Sequence, residues 1–320
     1  MLDPTFVTAP DTVGFLLLDR FSMMAFTSAL EPLRVANRVA GRELYRWRIF
    51  SLDGLPVRAS NGLMVVADEP LSASSQMRSL LVVASFEPER HAAGPAVALL
   101  RRLARFGIAM GALDTGAWPL AAAGLLDHHR ITLHWEAAPA FAATFPKVEL
   151  SPRLYEIDRN RFTSAGGTSP FDMMLHLIGR RHGETLVRSI TEQLVAATWR
   201  AGDLPQRPTL ANRLGVRHAR LGEVLAAIEL DPSESWSLAV LARRTGISPR
   251  ALTTLFRRET GTSPHRFILQ LRLLKARDQL AATSRSIRDV ALDCGFASLE
   301  HFSRSFHRQF GTPPSALRRR

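Results

Sequence analysis

Roughly the last hundred residues of the chain carry one helical pattern twice, and this internal repeat restricts the fold more than any other feature of the sequence. The first set of repeated residues is Phe256, Arg258, Gly261, Thr262 and Pro264, and fifty positions later it recurs as Phe306, Arg308, Gly311, Thr312 and Pro314. Similarity at a fixed offset marks one supersecondary unit that is used more than once. Beyond residue 218 the hydrophobic pattern is helical throughout, so this part is predicted to be all-α.

Each copy of the repeat combines a short helix, a glycine turn and a capped second helix. In the first copy a helix over 238–245 is followed by Gly246, and Ser248 with Pro249 begins a second helix that runs to Thr260. Serine before a helix accepts hydrogen bonds from its first free N–H groups, and proline suits the first helical position. This arrangement is the helix-turn-helix, whose second helix enters the major groove of DNA.

The second copy has the same parts, with a helix over 287–294, a turn at Gly295, a cap at Ser298 and a helix over 299–310. Between the copies, residues 265–282 are predicted to form one helix, which spans roughly 27 Å at the helical rise. That length is close to one turn of duplex DNA. Two recognition helices are therefore predicted to enter successive major grooves.

The residues on the exposed front of each second helix are predicted to bind DNA. They are Arg250, Thr253, Thr254, Arg257 and Arg258 in the first copy and Leu299, Glu300, His301 and Arg304 in the second. A carboxylate such as Glu300 can accept from the amino group of cytosine, and Leu299 can touch a thymine methyl. The alternative is a helical bundle with a purely structural role.

The charge distribution favours a nucleic-acid partner for the repeat. Residues 216–320 contain 18 Lys and Arg against 9 Asp and Glu, a net +9, whereas residues 1–215 contain 23 against 20, a net +3. A basic excess in one domain is the electrostatic footprint of double-stranded DNA binding. Charge that serves solubility alone remains the alternative.

Length and composition indicate a folded protein of two domains. The chain has 320 residues, of which 46% are hydrophobic and 22% are charged. Neither a secretion signal nor an apolar run long enough to cross a bilayer is recognisable, so we expect a cytoplasmic protein without a membrane partner. The single cysteine, Cys294, excludes an internal disulfide and a cysteine metal cluster, and no metal or cofactor is predicted.

The stretch GFASLEHFSRSFHRQFGTPPSALR strongly resembles the signature of the AraC family of transcription regulators, and the similarity covers about residues 220–318. The resemblance implies that seven of the exposed residues named above face the bases: Arg250, Thr253, Thr254, Leu299, Glu300, His301 and Arg304. It also implies a homodimer, with RNA polymerase as a further partner.

The N-terminal part alternates strands and helices. Apolar strands are predicted at 12–19, 46–52, 79–85 and 107–113, with helices after the first strand, at 96–106 and from about 170 to 199. This alternation predicts an α/β domain, a doubly wound parallel sheet sandwiched by helices. The domains are expected at 1–200 and 218–320, and the stretch 201–217, which begins AGDLPQRPT, is expected to be a linker.

Residues 107–136 resemble the strand, sharp turn and helix that carry the nucleophile in class I glutamine amidotransferase-like (PfpI-like) proteins, a similarity that extends over about 12–190. Asp114 stands where active members have cysteine, and His134 matches the usual histidine. A carboxylate cannot replace a thiolate in amide hydrolysis at such a site, so the chain is not expected to be an enzyme. An amidase-like hydrolase fused to a DNA-binding module is the alternative.

The combination of both domains, with the stretches FSMMAFTSALEPLRVANRV, YRW, SNGL and TLHWE, resembles regulators of glycine betaine, carnitine, sarcosine or arginine catabolism. The resemblance implies a sequence-specific regulator that senses a small nitrogenous metabolite and activates its genes. An architectural DNA-binding protein with a vestigial sensor is a further alternative.

A cationic or zwitterionic effector is predicted near Asp114, which pairs an anionic side chain with the N–H groups of a helix start. The residues expected to bind it are Asp114, Trp118, His134, Trp135, Glu136, Tyr45, Trp47 and Phe21. Aromatic faces among them would attract an alkylated ammonium. Alternatively, Asp114 caps the helix and Trp47 and Trp135 are core residues.

Overall fold

The computed structural model of the protein describes residues 10–72, 74–282 and 285–318. The chain divides into two compact units after Gln206. The first unit is a mostly parallel sheet with helices on both faces, and the second unit is helical, as the sequence predicts. No helix of the described residues is long and apolar enough to cross a membrane.

The first unit contains eleven strands in its described residues. They are β1 (Asp11–Leu17), β2 (Tyr45–Ser51), β3 (Val57–Arg58), β4 (Met64–Val65), β5 (Glu69–Pro70), β6 (Ser79–Ala84), β7 (Ala109–Asp114), β8 (Arg130–Ile131), β9 (Glu149–Leu150), β10 (Tyr155–Asp158) and β11 (Arg161–Ser164). The helices are α1 (Met23–Ala40), α2 (Pro95–Arg105), α3 (Ala117–Ala122), α4 (Ala138–Thr144), α5 (Ser169–His182) and α6 (Glu184–Gln193), with a 3-10 turn at Pro88–His91.

The central sheet has the strand order β10-β11-β7-β6-β1-β2-β5, in which only β10 and β11 pair antiparallel. The register places Leu17 beside Val83, and Ala84 beside Asp114. Since these strands are parallel, their carboxyl ends meet at one edge of the sheet. Ligands of open α/β sheets bind in the crevice outside this edge.

Alternate residues of each strand point to opposite faces of the sheet and fill two separate cores. Phe15 and Leu81 pack on the face covered by α1, α5 and α6, whereas Leu16 and Leu80 pack on the face covered by α2, α3 and α4. Both faces are buried, which explains the unbroken apolar sequence of β6 (SLLVVA).

The helix predicted from about 170 to 199 is two helices. Gly183 lies between α5 and α6 with φ +88° and ψ 162°, a conformation that glycine adopts without a steric penalty. The chain turns there, and α6 ends at Gln193.

The stretch 201–217, which is predicted to be a linker, is divided between the two units. The Leu154 N–H donates to the carbonyl oxygen of Leu204 (2.9 Å), and the side-chain amide of Gln206 donates to Thr132 Oγ1 (2.8 Å). These bonds attach residues before 207 to the first unit, and the next helix already belongs to the second.

The helices of the second unit are α7 (Leu210–Arg213), α8 (Ala219–Leu230), α9 (Leu238–Thr245), α10 (Pro249–Thr260), α11 (Pro264–Ala282), α12 (Ile287–Asp293) and α13 (Leu299–Phe310), with a 3-10 turn at Pro314–Arg318. The ends of α9, α10 and α13 are those that the capping residues predict, and α12 differs by one residue.

The second unit has two hydrophobic cores that share α11. Phe267 and Ile268 from its first half pack in the core of α8, α9 and α10, whereas Leu273 and Ala276 pack in the core of α12 and α13. The long helix is therefore a structural part of both helix-turn-helix copies.

Arg272, in the middle of α11, connects the two copies by hydrogen bonds. Its guanidinium donates to the carbonyl oxygens of Pro232 (2.8 Å) and Glu234 (3.0 Å) in the loop that leads from α8 into the first copy, and to that of Gly295 (2.9 Å) in the turn of the second. The planar, multi-donor guanidinium suits such a junction better than an ammonium group would.

Candidate effector site and DNA interface

Asp114 ends β7 in a strained and crowded turn. Its φ is +60°, a region that non-glycine residues seldom occupy. A Cβ added to Gly166 would lie 2.8 Å from the Asp114 carboxylate, so glycine is required at this close approach. Strain that the surrounding structure maintains is typical of functional sites.

The Asp114 carboxyl group is buried, with only 7% of the residue exposed. Burial raises its pKa to about 7, hydrogen bonding with Ser85 opposes this, and the negative charge of Glu136 adds to it. Ser22 is a further hydrogen-bond partner. A carboxyl group in this state is close to half ionised at neutral pH, and a cation beside it would hold it ionised.

Asp114 does not cap the helix that follows. The N-cap of α3 is Gly116, which makes no side-chain capping bond, and α3 has only six residues. The capping interpretation of Asp114 is therefore wrong.

Three of the predicted neighbours of Asp114 lie at its edge of the sheet. The N–H of His134 donates to the Asp114 carbonyl oxygen (3.3 Å), and burial lowers the pKa of the His134 imidazole. The imidazole Nδ1 lies 3.9 Å from the Glu136 carboxylate, and the next residue, Trp135, is 38% exposed. Trp135 is thus a surface residue of the Asp114 edge and not a core residue.

The other predicted aromatic residues are placed differently. Phe21 is fully buried, and although its backbone pairs with Ser85, its ring packs edge-on against Phe26. Trp118 is buried against Phe141 and Phe145, edge-on to both rings. Both prefer the core because a large aromatic surface is stabilised there.

Tyr45 and Trp47 lie far from Asp114. The prediction that they share one effector site with it is therefore wrong. They belong to the first half of β2, where they pair with Asp11 and Val13 at the start of β1. At the rise of a strand, the start of β1 is about 20 Å from the carboxyl edge of the sheet.

Residues that sequence reasoning did not select also contribute to this edge. Ser22 caps α1, and Ser85 follows the last residue of β6. Phe86, next to Ser85, is 53% exposed, and the Arg20 guanidinium lies over its ring, 5.3 Å from the centroid. Their positions in the sequence could have indicated this, because each residue follows a strand that ends at the same edge of the sheet.

In the second unit, α10 presents a polar front. Leu252 and Phe256 are buried on its opposite side. Arg250, Thr254, Arg257 and Arg258 are exposed and Thr253 is half-buried. The Arg258 guanidinium is paired with Glu259 (2.9 Å).

The second recognition helix, α13, has the same organisation. Phe302 and Phe306 are fully buried, and Leu299, Glu300, His301 and Arg304 are exposed. Arg304 lies 3.5 Å from Glu300, one helical turn away. This ion pair is exposed to water and therefore weak, so both side chains remain available to a partner.

A groove of about 670 Å³ lies between α11 and α13. Its cationic and imidazole side chains are those of His265, Arg266, His301, Arg304 and Arg308. Backbone phosphates of DNA are bound by such groups. Among the described residues, no group of three or more His, Cys, Asp or Glu side chains is arranged to hold a metal ion.

Both units match known families. Residues 11–180 match the DJ-1/PfpI family, and residues 241–320 match a helix-turn-helix domain family.

Curated relatives share both units. The chain is 44% identical to the HTH-type transcriptional regulator GbdR of Pseudomonas aeruginosa, over 95% of the chain and 83% of the relative. It is 44% identical to the HTH-type transcriptional regulator CdhR of the same species, over 94% and 89%. A crystal structure of an AraC family transcriptional regulator from Pseudomonas putida is 32% identical and covers 58% of the chain and 100% of its own length, with a TM-score of 0.53.

Proposed function

The chain belongs to the AraC-type transcriptional regulators in which a DJ-1/PfpI domain precedes a helix-turn-helix domain, and from this premise we propose that it is a cytoplasmic, effector-controlled activator. A small cationic or zwitterionic metabolite binds beside Asp114 and shifts the protein toward a form that engages its promoter sites. Such a shift requires that the effector bind one form more tightly than the other.

The DNA-binding half of the proposal is supported by two exposed polar helix fronts on separate cores. Base contacts are assigned to Arg250, Thr253 and Thr254 on α10, and to Leu299, Glu300, His301 and Arg304 on α13. Arg257 and Arg258, nearer the end of α10, are assigned to backbone phosphates. Base contacts specify the sequence, whereas phosphate contacts position the protein on it.

We expect the substitutions Arg250→Ala and Arg304→Ala each to weaken binding to the specific site by about 1–3 kcal/mol, because each removes a donor to a base edge. Arg257→Ala should weaken binding to all duplexes alike. The measurement is fluorescence anisotropy of the full chain on a duplex selected by the wild-type protein and on its scrambled sequence.

A matched control is Arg188→Ala, at an exposed position of α6 in the first unit. Equal losses on the selected and scrambled duplexes for all three variants of α10 and α13 would contradict the assignment of base contacts.

The sensor half is carried by a single observation, the buried Asp114 carboxyl group whose pKa is raised to about 7. Ionisation of this group is costly without a counter-ion, and a quaternary or protonated nitrogen would supply one. The exposed ring of Trp135 offers a face to an alkylated ammonium. Betaines, carnitine, sarcosine and basic amino acids have this chemistry.

An amidase-like hydrolase is not favoured, because Asp114 occupies the position from which a thiolate would attack. The similarity to named transcriptional regulators over nearly the whole chain also favours regulation. A homodimer that contacts RNA polymerase is part of the proposal through the family resemblance.

A thermal-shift screen of the full chain tests the effector. Glycine betaine, carnitine, sarcosine or arginine at a hundred times its dissociation constant should stabilise the protein by about 2.7 kcal/mol through mass action. The carbon isostere of glycine betaine, 3,3-dimethylbutanoate, lacks the cation and should give no shift that depends on Asp114. A full response of Asp114→Asn to the active compound would contradict the proposed site.

A further inference from the structure

A second cavity of the first unit lies at the amino-terminal edge of the large sheet, opposite Asp114. It has a volume of about 670 Å³ and is bounded by the first residues of β1, β6 and β7 and by α5. Ala109 begins β7 at this cavity and Asp114 ends the same strand, about 16 Å away at the rise of a strand. The two places are therefore separate.

The walls of this amino-edge cavity are mainly apolar. Phe162 and Ile157 line it from the sheet, and Met174, Leu177 and Ile178 line it from α5. Its volume is within the range of small-molecule sites, which combine apolar walls with a few polar groups.

One polar group in the wall lacks a partner. The hydroxyl group of Tyr45 is buried and has no hydrogen-bond partner in the described part of the chain, and Tyr45 is only 3% exposed. Buried polar groups are almost always hydrogen-bonded, so an unpaired one that lines a cavity indicates a missing partner. The hydroxyl can donate to an acceptor within the cavity.

The charged groups around the cavity are mostly cationic. Its lining contains four arginines, Arg78, Arg159, Arg180 and Arg181, and one acid, Asp11, which is a formal net charge of +3. Arg78 (3.3 Å) and Arg181 both pair with Asp11, and Arg159 pairs with Asp158 (3.2 Å). The balance of charge at the cavity favours an anion.

We propose that the amino-edge cavity is a second ligand site, which takes a small organic monocarboxylate with an aliphatic body. The Tyr45 hydroxyl donates to the carboxylate and Arg180, exposed at the rim, balances its charge. The aliphatic body packs against Met174 and Phe162. An ion cluster that only fastens α5 to β1 would explain Asp11 and Arg181, but neither the unpaired hydroxyl nor the open apolar volume.

Displacement of the anionic fluorophore 8-anilinonaphthalene-1-sulfonate from the full chain tests this proposal, with a series of straight-chain carboxylates from acetate to octanoate as competitors. Affinity should rise with chain length, and octanoate should bind about ten-fold or more tightly than octan-1-ol or octylammonium, because charge-assisted hydrogen bonds require the carboxylate.

Three variants locate the site. Tyr45→Phe and Arg180→Ala should each weaken octanoate binding about ten-fold. Asp114→Asn should leave octanoate binding unchanged, which separates this site from the effector site.

Failure of every carboxylate to displace the fluorophore overturns the proposal. Equal affinity for octanoate and octan-1-ol, or wild-type affinity in both Tyr45→Phe and Arg180→Ala, also overturns it. Circular dichroism of each variant shows that the chain is folded in the assay.

Discussion

Asp114→Asn is expected to raise the free energy of unfolding of the ligand-free protein by up to about 4 kcal/mol above neutral pH, and to leave it unchanged in acid. Burial raises the pKa of Asp114 in the folded state from 3.8 to about 7. Between these values the folded protein retains a proton that the unfolded chain has lost. The stability of the wild type therefore falls as the pH rises through this window, whereas that of the amide variant does not.

Denaturant unfolding of both proteins from about pH 4 to pH 8 measures this difference, and the exposed substitution Glu149→Gln is the control. A constant difference across the range would show that Asp114 has no raised pKa in the folded state.

The same substitution is expected to abolish the response to a cationic effector. Only the ionised carboxylate attracts the cation. As the pH is raised toward 7, the affinity of the wild type should therefore rise about ten-fold per pH unit, and above pH 7 it should level off. Calorimetric titration of Asp114→Asn should give weak binding that is independent of pH. If Asp114→Asn binds the effector with wild-type affinity, the effector does not bind at Asp114.

Phe306→Ala is expected to destabilise the second helix-turn-helix copy by about 3–5 kcal/mol, because it removes a fully buried ring and leaves a cavity. Phe306 contacts Phe302 and Phe310 at centroid distances of 5.4 and 4.6 Å. The resulting loss of α13 should abolish specific DNA binding. The first copy should stay folded, because its core is separate.

Hydrogen exchange of the full chain distinguishes the two copies. In Phe306→Ala, amides of α12 and α13 should lose protection while those of α9 and α10 keep it, and Phe256→Ala should show the reverse pattern. Uniform loss of protection in either variant would show that the second unit unfolds as one cooperative body.

The helices of the second unit could be predicted closely because their ends are encoded by neighbouring residues. The hydroxyl groups of Ser248 and Ser298 accept from the N–H groups of Ala251 and His301, three residues later. Gly261 ends α10 with φ +72°. Such capping residues act locally, so the ends of each helix can be predicted without knowledge of the rest of the fold.

The candidate effector site could be predicted only in part, because it is assembled from residues far apart in the sequence. Asp114 was recognisable from its strand and turn, but Ser22 and Ser85 reach it only through the order of strands in the sheet. The aromatic chemistry of Tyr45 and Trp47 suits a cationic effector, but their position along β2 places them at the opposite edge. Aromatic composition does not reveal which end of a strand a residue occupies.

The helix α11 and Arg272 together have a consequence for the promoter sites that the protein can recognise. Because one continuous helix belongs to both cores, and Arg272 bonds both to the loop before α9 and to the turn of the second copy, we expect the two recognition helices to keep a fixed separation and a fixed rotation on a duplex. One base pair inserted between the two contacted segments shifts them apart by about 3.4 Å and rotates them by roughly 35°. A flexible tether would follow that change, whereas this junction should not, so we expect the length of the operator spacer to be part of what the protein recognises.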